Sequence, residues 1–216
     1  PLIKSGTHYN QLGYDDNTIT GITFAAKTPG SYANGIRVSV IDAKADQVLT
    51  VSGISTIGIG ITQSAEGRIV AGAGGTSVLD GYIKGIVTEV GSGTISVKTL
   101  AHVSTAGTVT NVNYQNGGVY NFATGNISAS AAGTNIGGTP QSVTAAVDWF
   151  EQQNIVLTQT DANGNPLKLE WDSLADRPST STYVASRGGR FDELHVVVID
   201  DLSLIHISEP TRHSSI

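Results

Sequence analysis

The sequence predicts an α+β fold in which a β-rich region is followed by a mixed α/β part, and three observations lead to this prediction. Glycine is abundant, with 26 residues in a chain of 216, while charged residues make up only 14%. This balance is typical of β proteins with many turns. A segment near 140–153 has the apolar spacing of a helix. An unbroken aliphatic run predicts a buried strand near 194–199.

The β-rich region is predicted from short apolar segments separated by glycine-containing turns. Alternation of apolar and polar side chains over 36–40 indicates a strand with one buried face, and 47–51 is predicted as its neighbour. Further strands are predicted at 19–26, 83–90, 94–100, 108–114 and 119–122. The segments 53–77 and 123–139 are rich in glycine or small polar residues, which favours loops or irregular strands in the first and a linker or surface loop in the second.

The predicted helix near 140–153 begins after a residue suited to capping. Thr139 can accept a hydrogen bond from a free backbone amide, and Pro140 fits the first helical turn. The apolar residues that follow recur at i, i+3, i+4 and i+7, namely Val143, Ala146, Val147 and Phe150. This spacing predicts a helix with one apolar stripe.

The C-terminal part is predicted to end in a strand that is covered on both faces. Before it, we expect a short strand at 155–158 and a helical turn at 171–174 that packs its tryptophan inward. The run 196–199, Val-Val-Val-Ile, has no polar alternation, which is typical of a strand with neighbours above and below its sheet.

Two glycine-containing motifs suggest ligand binding, but both lack an essential residue. The segment 72–77 resembles a phosphate-binding loop without the lysine that such a loop requires. The segment 161–165 partly resembles a calcium loop, yet Pro166 stands where glycine is needed and Asp172 replaces the closing glutamate. We interpret the first as a flexible loop and the second as a solvated Asn-Gly turn.

The residues around His195 suggest acid–base chemistry without completing a catalytic set. Glu193 would share a strand face with His195 while Asp192 points away, and the chain contains no nucleophile elbow. The histidines at 8, 102 and 195 do not have metal-ligand spacing. We therefore predict no catalytic, cofactor-binding or metal-binding residue, no cofactor, and a protein that is not an enzyme.

The composition also argues against some classes of binding partner. A formal net charge of −6 argues against a nucleic-acid-binding surface, which needs clustered lysine and arginine. The sequence has no apolar run long enough to span a bilayer, so no membrane partner is expected. The absence of cysteine excludes disulfides.

Two stretches, read together, resemble a known family. The stretch 171–201 contains, in order, a tryptophan, an Arg-Pro turn, an Arg-Gly-Gly turn and an acidic residue before an aliphatic strand. The stretch 29–40 contains Pro-Gly, an aromatic residue, Asn-Gly and an alternating strand. In this order they resemble the tail sheath proteins of contractile-tailed bacteriophages, and the segment 148–150, Asp-Trp-Phe, is a weaker third match.

The resemblance implies a mechanical function. Sheath subunits polymerise in a helical homo-oligomer around the tail tube, and contraction drives the tube through the host envelope during genome ejection. It implies self-association and contacts with tail tube and baseplate proteins, a location in the virion tail, and assembly in the host cytoplasm. In the family, extended terminal arms link neighbouring subunits, so this chain is expected not to assemble alone.

Two other interpretations stay open. The first is another tail or baseplate component, or the sheath of a bacterial contractile injection system. The second is a carbohydrate-binding or adhesive β-domain, which usually needs exposed aromatic side chains. Both tryptophans, Trp149 and Trp171, lie in segments that we expect to be packed.

The resemblance also divides the chain. Residues 1–139 are predicted as a β-rich sheath domain, with 53–139 as a candidate glycine-rich insertion, and 140–201 as the α/β part of the sheath core. Residues 202–212, LSLIHISEPTR, resemble a translated sequencing adapter, so 202–216 is interpreted as a non-native tail. Because the chain begins at Pro1 and contains no methionine, an internal fragment is expected.

Overall fold

The protein is mostly β and contains a closed barrel. The computed structural model has 50% strand and 11% helix, with six strands closing the barrel, so the predicted α+β class is wrong. The structure describes residues 6–11, 24, 26, 30–72, 75–112, 118–130, 140–202 and 211–214. The strand predicted at 19–26 lies almost entirely outside these described residues.

The described elements are short and mostly strands. The helices are α1 (Gly6–Gln11) and α2 (Thr182–Ala185), and 3₁₀ turns span Ser31–Gly35, Phe150–Gln152 and Trp171–Ser173. The strands, in chain order, are β1 (Ile36–Asp42), β2 (Gln47–Val51), β3 (Gly60–Ser64), β4 (Ile69–Gly72), β5 (Gly75–Val78), β6 (Tyr82–Val90), β7 (Thr94–Val103), β8 (Val109–Asn111), β9 (Gly125–Ser130), β10 (Pro140–Asp148), β11 (Asn154–Thr160), β12 (Pro166–Glu170), β13 (Glu193–Asp200) and β14 (Thr211–Ser214).

The barrel is formed by β2, β10, β9, β3, β6 and β7, hydrogen-bonded in that order. It closes because β7 also pairs antiparallel with β2, from Gln47 opposite Val97 to Thr50 opposite Thr94. Its interior is aliphatic apart from Phe122, and Leu49, Ile61, Ile83, Ile95 and Val97 are each 0% exposed. Burial of each such side chain stabilises the fold by about 1.5–3 kcal/mol.

A second core lies outside the barrel. There β13 pairs with β1 on one side and with β14, from the segment interpreted as a non-native tail, on the other. The hairpin of β11 and β12 and the two 3₁₀ turns after β10 and β12 complete this core. Both tryptophans, Phe150, Val197 and Ile199 pack there. Two cores of different composition therefore share one chain.

The helix predicted near 140–153 is absent, and strand β10 with the 3₁₀ turn Phe150–Gln152 takes its place. The reason is a β-bulge, because the register of β10 against β2 shifts between Val143 and Ala145. The extra residue separates the inward-facing Val143 and Ala146 by three positions, which imitates helical spacing. Val147 of the predicted stripe is 42% exposed.

Two segments whose structure differs from the prediction also help to form the barrel. The predicted loop 123–139 contains β9, and the predicted strand 119–122 is instead a turn across the barrel. Two glutamine side chains hydrogen-bond to the backbone of this turn, as the backbone of a neighbouring strand would. Gln47 exchanges two hydrogen bonds with the backbone of Phe122, at 2.9 and 2.8 Å, and Gln63 does the same with Ala123, at 2.7 and 2.8 Å.

The aliphatic strand is confirmed as β13, but only one of its faces is buried. Val197 and Ile199 are 0% and 1% exposed, whereas Val198 is 38% exposed. The prediction that both faces are covered is therefore wrong. In the antiparallel pairing Val198 lies opposite Val38 of β1, so the outer face of this sheet is also aliphatic.

Candidate functional site

The chain passes between the barrel and the second core at two adjacent crossings. The first, 43–46, links β1 to β2, and the second, at Trp149, follows β10. The Trp149 amide donates to the Asp46 carbonyl at 3.0 Å, and the Asp46 amide donates to the Val97 carbonyl at 2.8 Å. These bonds tie the two crossings to each other and to the barrel wall.

A third segment fastens the junction, and we call residues 175–192 the strap. Its Arg177 forms an ion pair with Asp148 at the end of β10, and the two side chains are only 19% and 6% exposed. Arg177 also donates to the Asp46 carbonyl at 3.5 Å, and its guanidinium lies 5.3 Å from the Phe150 ring centroid. One arginine thus touches both crossings and the second core.

The strap makes a second attachment near its other end. Arg190 donates a hydrogen bond to the Leu100 carbonyl of β7. The adjacent Phe191 ring accepts two cations, with Lys98 Nζ at 3.9 Å and the Arg190 guanidinium at 5.3 Å from its centroid. Such contacts contribute about 0.5–2 kcal/mol, depending on burial. Arg177 and Arg190 therefore hold the same strap at two points, the end of β10 and the strand β7.

Phe191 adopts a strained backbone conformation at this attachment. Its φ of 63° lies in the left-handed region, which is rare for a bulky side chain and costs on the order of 1–3 kcal/mol. The Phe191 amide donates to Thr180 Oγ1 at 2.9 Å, which fixes the conformation. The strain is consistent with a constraint on where the aromatic ring must lie.

The acidic residues beside His195 anchor the strap instead of forming a catalytic set. Asp192 accepts hydrogen bonds from the Ser181 amide and hydroxyl at 2.8 and 2.7 Å, and these bonds lower the pKa of Asp192. Glu193 accepts from the Ser179 amide at 2.9 Å. His195 is 1% exposed and lies on the inward face of β13, in the second core.

The junction contains a buried carboxylate whose ionisation is unfavourable. Burial raises the pKa of Asp46 to about 6, although a 2.7 Å hydrogen bond from the Thr99 amide and the nearby Lys98 and Arg177 oppose the shift. Burial also lowers the pKa of Lys98, which Asp46 opposes. The charge of the junction therefore depends on pH in the weakly acidic range.

A second charged contact closes the sheet of β1 and β13. Asp201 accepts two hydrogen bonds from Arg37, at 3.0 and 2.7 Å, and one from the Thr158 amide at 2.9 Å. Burial raises the pKa of Asp201, but the bonds from Thr158 and Arg37 outweigh it and hold the pKa below its usual value. This carboxylate joins β1, β11 and the end of β13.

The motifs that suggested ligand binding have structural roles where they are described. Gly72 ends β4 and 75–77 lie in β5, the strand that pairs with it, and the next element is β6, not a helix. Asp161 Oδ1 accepts from the amides of Asn163 and Asn165, both at 2.8 Å, which makes a polar turn. Among the described residues, no cluster of three or more His, Cys, Asp or Glu side chains is placed to hold a metal ion.

Both tryptophans are packed, as predicted. A groove of about 400 Å³ lies beside them, but Trp149 is 7% exposed and Trp171 is 4% exposed. Neither indole therefore presents the flat exposed face on which a sugar ring would stack.

The sequence predicts only turns at Arg177 and Arg190 and no role for either side chain. Their partners Asp148 and Leu100 are distant in sequence, so no local signal could have identified them.

No helix in the described part of the chain is both long and apolar enough to cross a membrane. Comparison with protein-family models, with curated proteins and with solved structures finds no match to this chain.

Proposed function

We propose that this chain is part of a structural subunit of a contractile phage tail sheath, which polymerises around the tail tube and contracts to drive it through the host envelope. One observation carries the proposal. The three stretches that resemble sheath proteins are separated in sequence, yet two of them supply side chains to the second core and the other, 29–40, pairs with β13 beside it. The segment 53–139, which resembles nothing in that family, contributes mainly to the barrel.

The first and second stretches share a sheet. Strands β1 and β13 pair along seven residues of β1, from Ile36 opposite Asp200 to Asp42 opposite Leu194. The Asp201 amide also donates to the Gly35 carbonyl at 2.7 Å. The third stretch contributes Trp149 and Phe150 to the core that contains Trp171. The three stretches that resemble sheath proteins in sequence order therefore also lie together in the fold.

The strap suits a protein that transmits force. Arg177 belongs to the Arg-Pro turn, and Arg190 directly follows the Arg-Gly-Gly turn, so the matching motifs supply both attachments to the barrel. A subunit that moves as a rigid body during contraction needs its parts held in a fixed relation. Separating Arg177 from Asp148 would leave a largely buried charge unpaired, which is costly, whereas an exposed ion pair contributes little.

The proposal is tested on phage particles whose genome encodes this sequence. Intact tails are purified, separated from capsids, and analysed by peptide mass spectrometry and by immunogold labelling with antibodies raised against the chain. We expect peptides from 36–201 among the most abundant tail proteins, and gold along the sheath in extended and contracted tails. Peptides confined to capsids, fibres or soluble extract would show that the chain has another function.

The same measurement examines the non-native tail. We propose that the natural protein departs from this sequence after Asp201, so a peptide covering 202–212 should be absent from the particles. The barrel peptides provide the internal control for detection. A clear 202–212 peptide would mean that this segment is part of the natural chain.

A further inference from the structure

The Arg-Gly-Gly turn displays an ordered cation on the surface. Arg187 is exposed, whereas Arg37, Arg68, Arg177 and Arg190 are partly buried. Its guanidinium lies 3.6 Å from the centroid of the Tyr183 ring, and Tyr183 is 56% exposed. Arg187 makes no ion pair in the described part of the chain. We call Tyr183 and Arg187 the basic knob.

The turn that carries the basic knob is rigid. Ser181 caps α2 by accepting from the Val184 amide at 3.2 Å, and Asp192 holds Ser181 in turn. Gly188, in the turn that follows α2, has a φ of 75°, a conformation that glycine adopts without strain. The Gly189 amide then donates to the Val184 carbonyl at 3.0 Å. Tyrosine and arginine that are already ordered lose little entropy on binding, which is typical of residues that dominate protein interfaces.

A complementary surface lies elsewhere on the second core. The 3₁₀ turns Phe150–Gln152 and Trp171–Ser173 contact each other, and the Trp171 amide donates to the Gln153 carbonyl at 3.1 Å. This corner exposes Glu151, Glu170 and Asp172, and the segments 149–153 and 169–173 contain no lysine or arginine. None of the three carboxylates makes an ion pair in the described ranges. We call these three residues the acidic corner.

The geometry points to a contact between two copies of this chain, in which the basic knob of one copy binds the acidic corner of the next. This inference rests on the proposed function, because a helical sheath needs repeated contacts between different surfaces of identical subunits. Charge complementarity selects the partner, since the exposed Arg187 sits on a chain of net charge −6 and can pair with the carboxylates of the acidic corner on another copy. A single contact of this size is weak, so copies of the isolated chain should meet transiently.

The test uses introduced thiols, because the chain contains no cysteine. Ser186→Cys lies beside the basic knob and Ser173→Cys beside the acidic corner, and both serines are exposed. The two variants are mixed at low ionic strength and oxidised, and the disulfide-linked dimer of unlike chains is quantified with time. Ser186→Cys mixed with Ser92→Cys, an exposed position in the β6–β7 loop, is the control pair.

We expect the S186C and S173C pair to cross-link about tenfold faster than the control pair, with the difference reduced by added salt. Adding Arg187→Glu to the S186C chain should remove the difference. Combining it with a partner that carries Glu170→Lys and Asp172→Lys should restore cross-linking. Circular dichroism of each variant checks that it is folded.

Equal rates in the test and control pairs, or a test rate that Arg187→Glu leaves unchanged, would overturn the contact. The outcome is independent of the particle experiment. Slow cross-linking of a chain that is found in tails would reject this contact alone. If the chain is absent from tails but cross-links fast and in a charge-dependent way, the proposed sheath function is rejected and the contact between copies is retained.

Discussion

The barrel and the second core are stabilised in different ways. The barrel closes on itself, its interior is aliphatic apart from Phe122, and all six of its strands come from the continuous stretch 47–148. The second core gathers segments from 36 to 201, contains both tryptophans, and is bordered by ion pairs of Arg37 and Arg177. We therefore expect the barrel to keep its structure when the second core is disrupted, because the second core depends on contacts between distant segments.

The largest expected effect comes from the centre of the second core. Trp171→Ala should reduce the free energy of unfolding by about 3–5 kcal/mol, because it leaves a large cavity. Hydrogen exchange should show lost protection in β1 and β13, with β6 and β7 still protected. Leu49→Ala, in the barrel, is the matched control and should expose barrel amides. Equal loss of protection in both regions for Trp171→Ala would mean that the two cores unfold as one unit.

Removing the main attachment of the strap should have the next largest effect. Arg177→Met leaves the buried Asp148 carboxylate unpaired, and we expect a loss of about 3 kcal/mol in urea unfolding. Arg187→Met, in the same strap but exposed, should change stability by less than about 0.5 kcal/mol. Similar losses for the two variants would show that the Arg177 ion pair does not fasten the junction.

The junction should also make stability depend on pH. The pKa of Asp46 is about 6 in the folded protein and 3.8 in the unfolded chain, so the folded state holds the proton more tightly. The stabilisation that protonated Asp46 gives to the folded state is fully present below about pH 4 and is lost as pH rises through about 6. The free energy of unfolding should fall by on the order of 2–3 kcal/mol over this range. The free energy of unfolding, measured from pH 4 to 7, should decline less in Asp46→Asn. Parallel profiles for the two proteins would rule out this role of Asp46.

The smallest expected effect concerns the start of α2. Ser181→Ala removes the hydroxyl that accepts a hydrogen bond from the Val184 amide and donates one to Asp192. It should lower the free energy of unfolding, measured by thermal denaturation, by about 1 kcal/mol. Ser186→Ala, on the exposed side of the same turn, should stay within about 0.5 kcal/mol of the original protein. If Ser181→Ala behaves like Ser186→Ala, the strap is held by its arginines alone.

Local patterns predicted the parts of the fold that depend on local spacing. Alternation over 36–40 located β1, but the apolar face that it predicts as buried is the outer one, with Ile36 38% and Val40 50% exposed. The predicted pairing of 36–40 with 47–51 is also wrong, because β1 pairs with β13 while β2 pairs with β7 and β10. Glycine-containing turns located β6 and β7. The aliphatic run located β13, although its outer face is exposed at Val198. Strand β10 was mistaken for a helix because its bulge gives Val143 and Ala146 a separation of three.

The remaining features depend on contacts that no local pattern contains. The turn at Phe122 is held by Gln47, which lies 75 residues away. The strap was visible as an Arg-Pro turn and an Arg-Gly-Gly turn, but its attachment to Asp148 and to the Leu100 carbonyl follows only from the folded chain. The barrel closure between β2 and β7 likewise has no sequence signature.

The most direct test of the rigid junction measures the relative orientation of the two cores in solution. Residual dipolar couplings of backbone amides, recorded for the whole chain, give an alignment tensor for the barrel and another for β1, β11, β12 and β13. We predict that one tensor fits both regions, and that a chain carrying Arg177→Met and Arg190→Met needs two tensors. Two tensors in the unmodified protein would contradict the claim that the strap joins the barrel and the second core into one block.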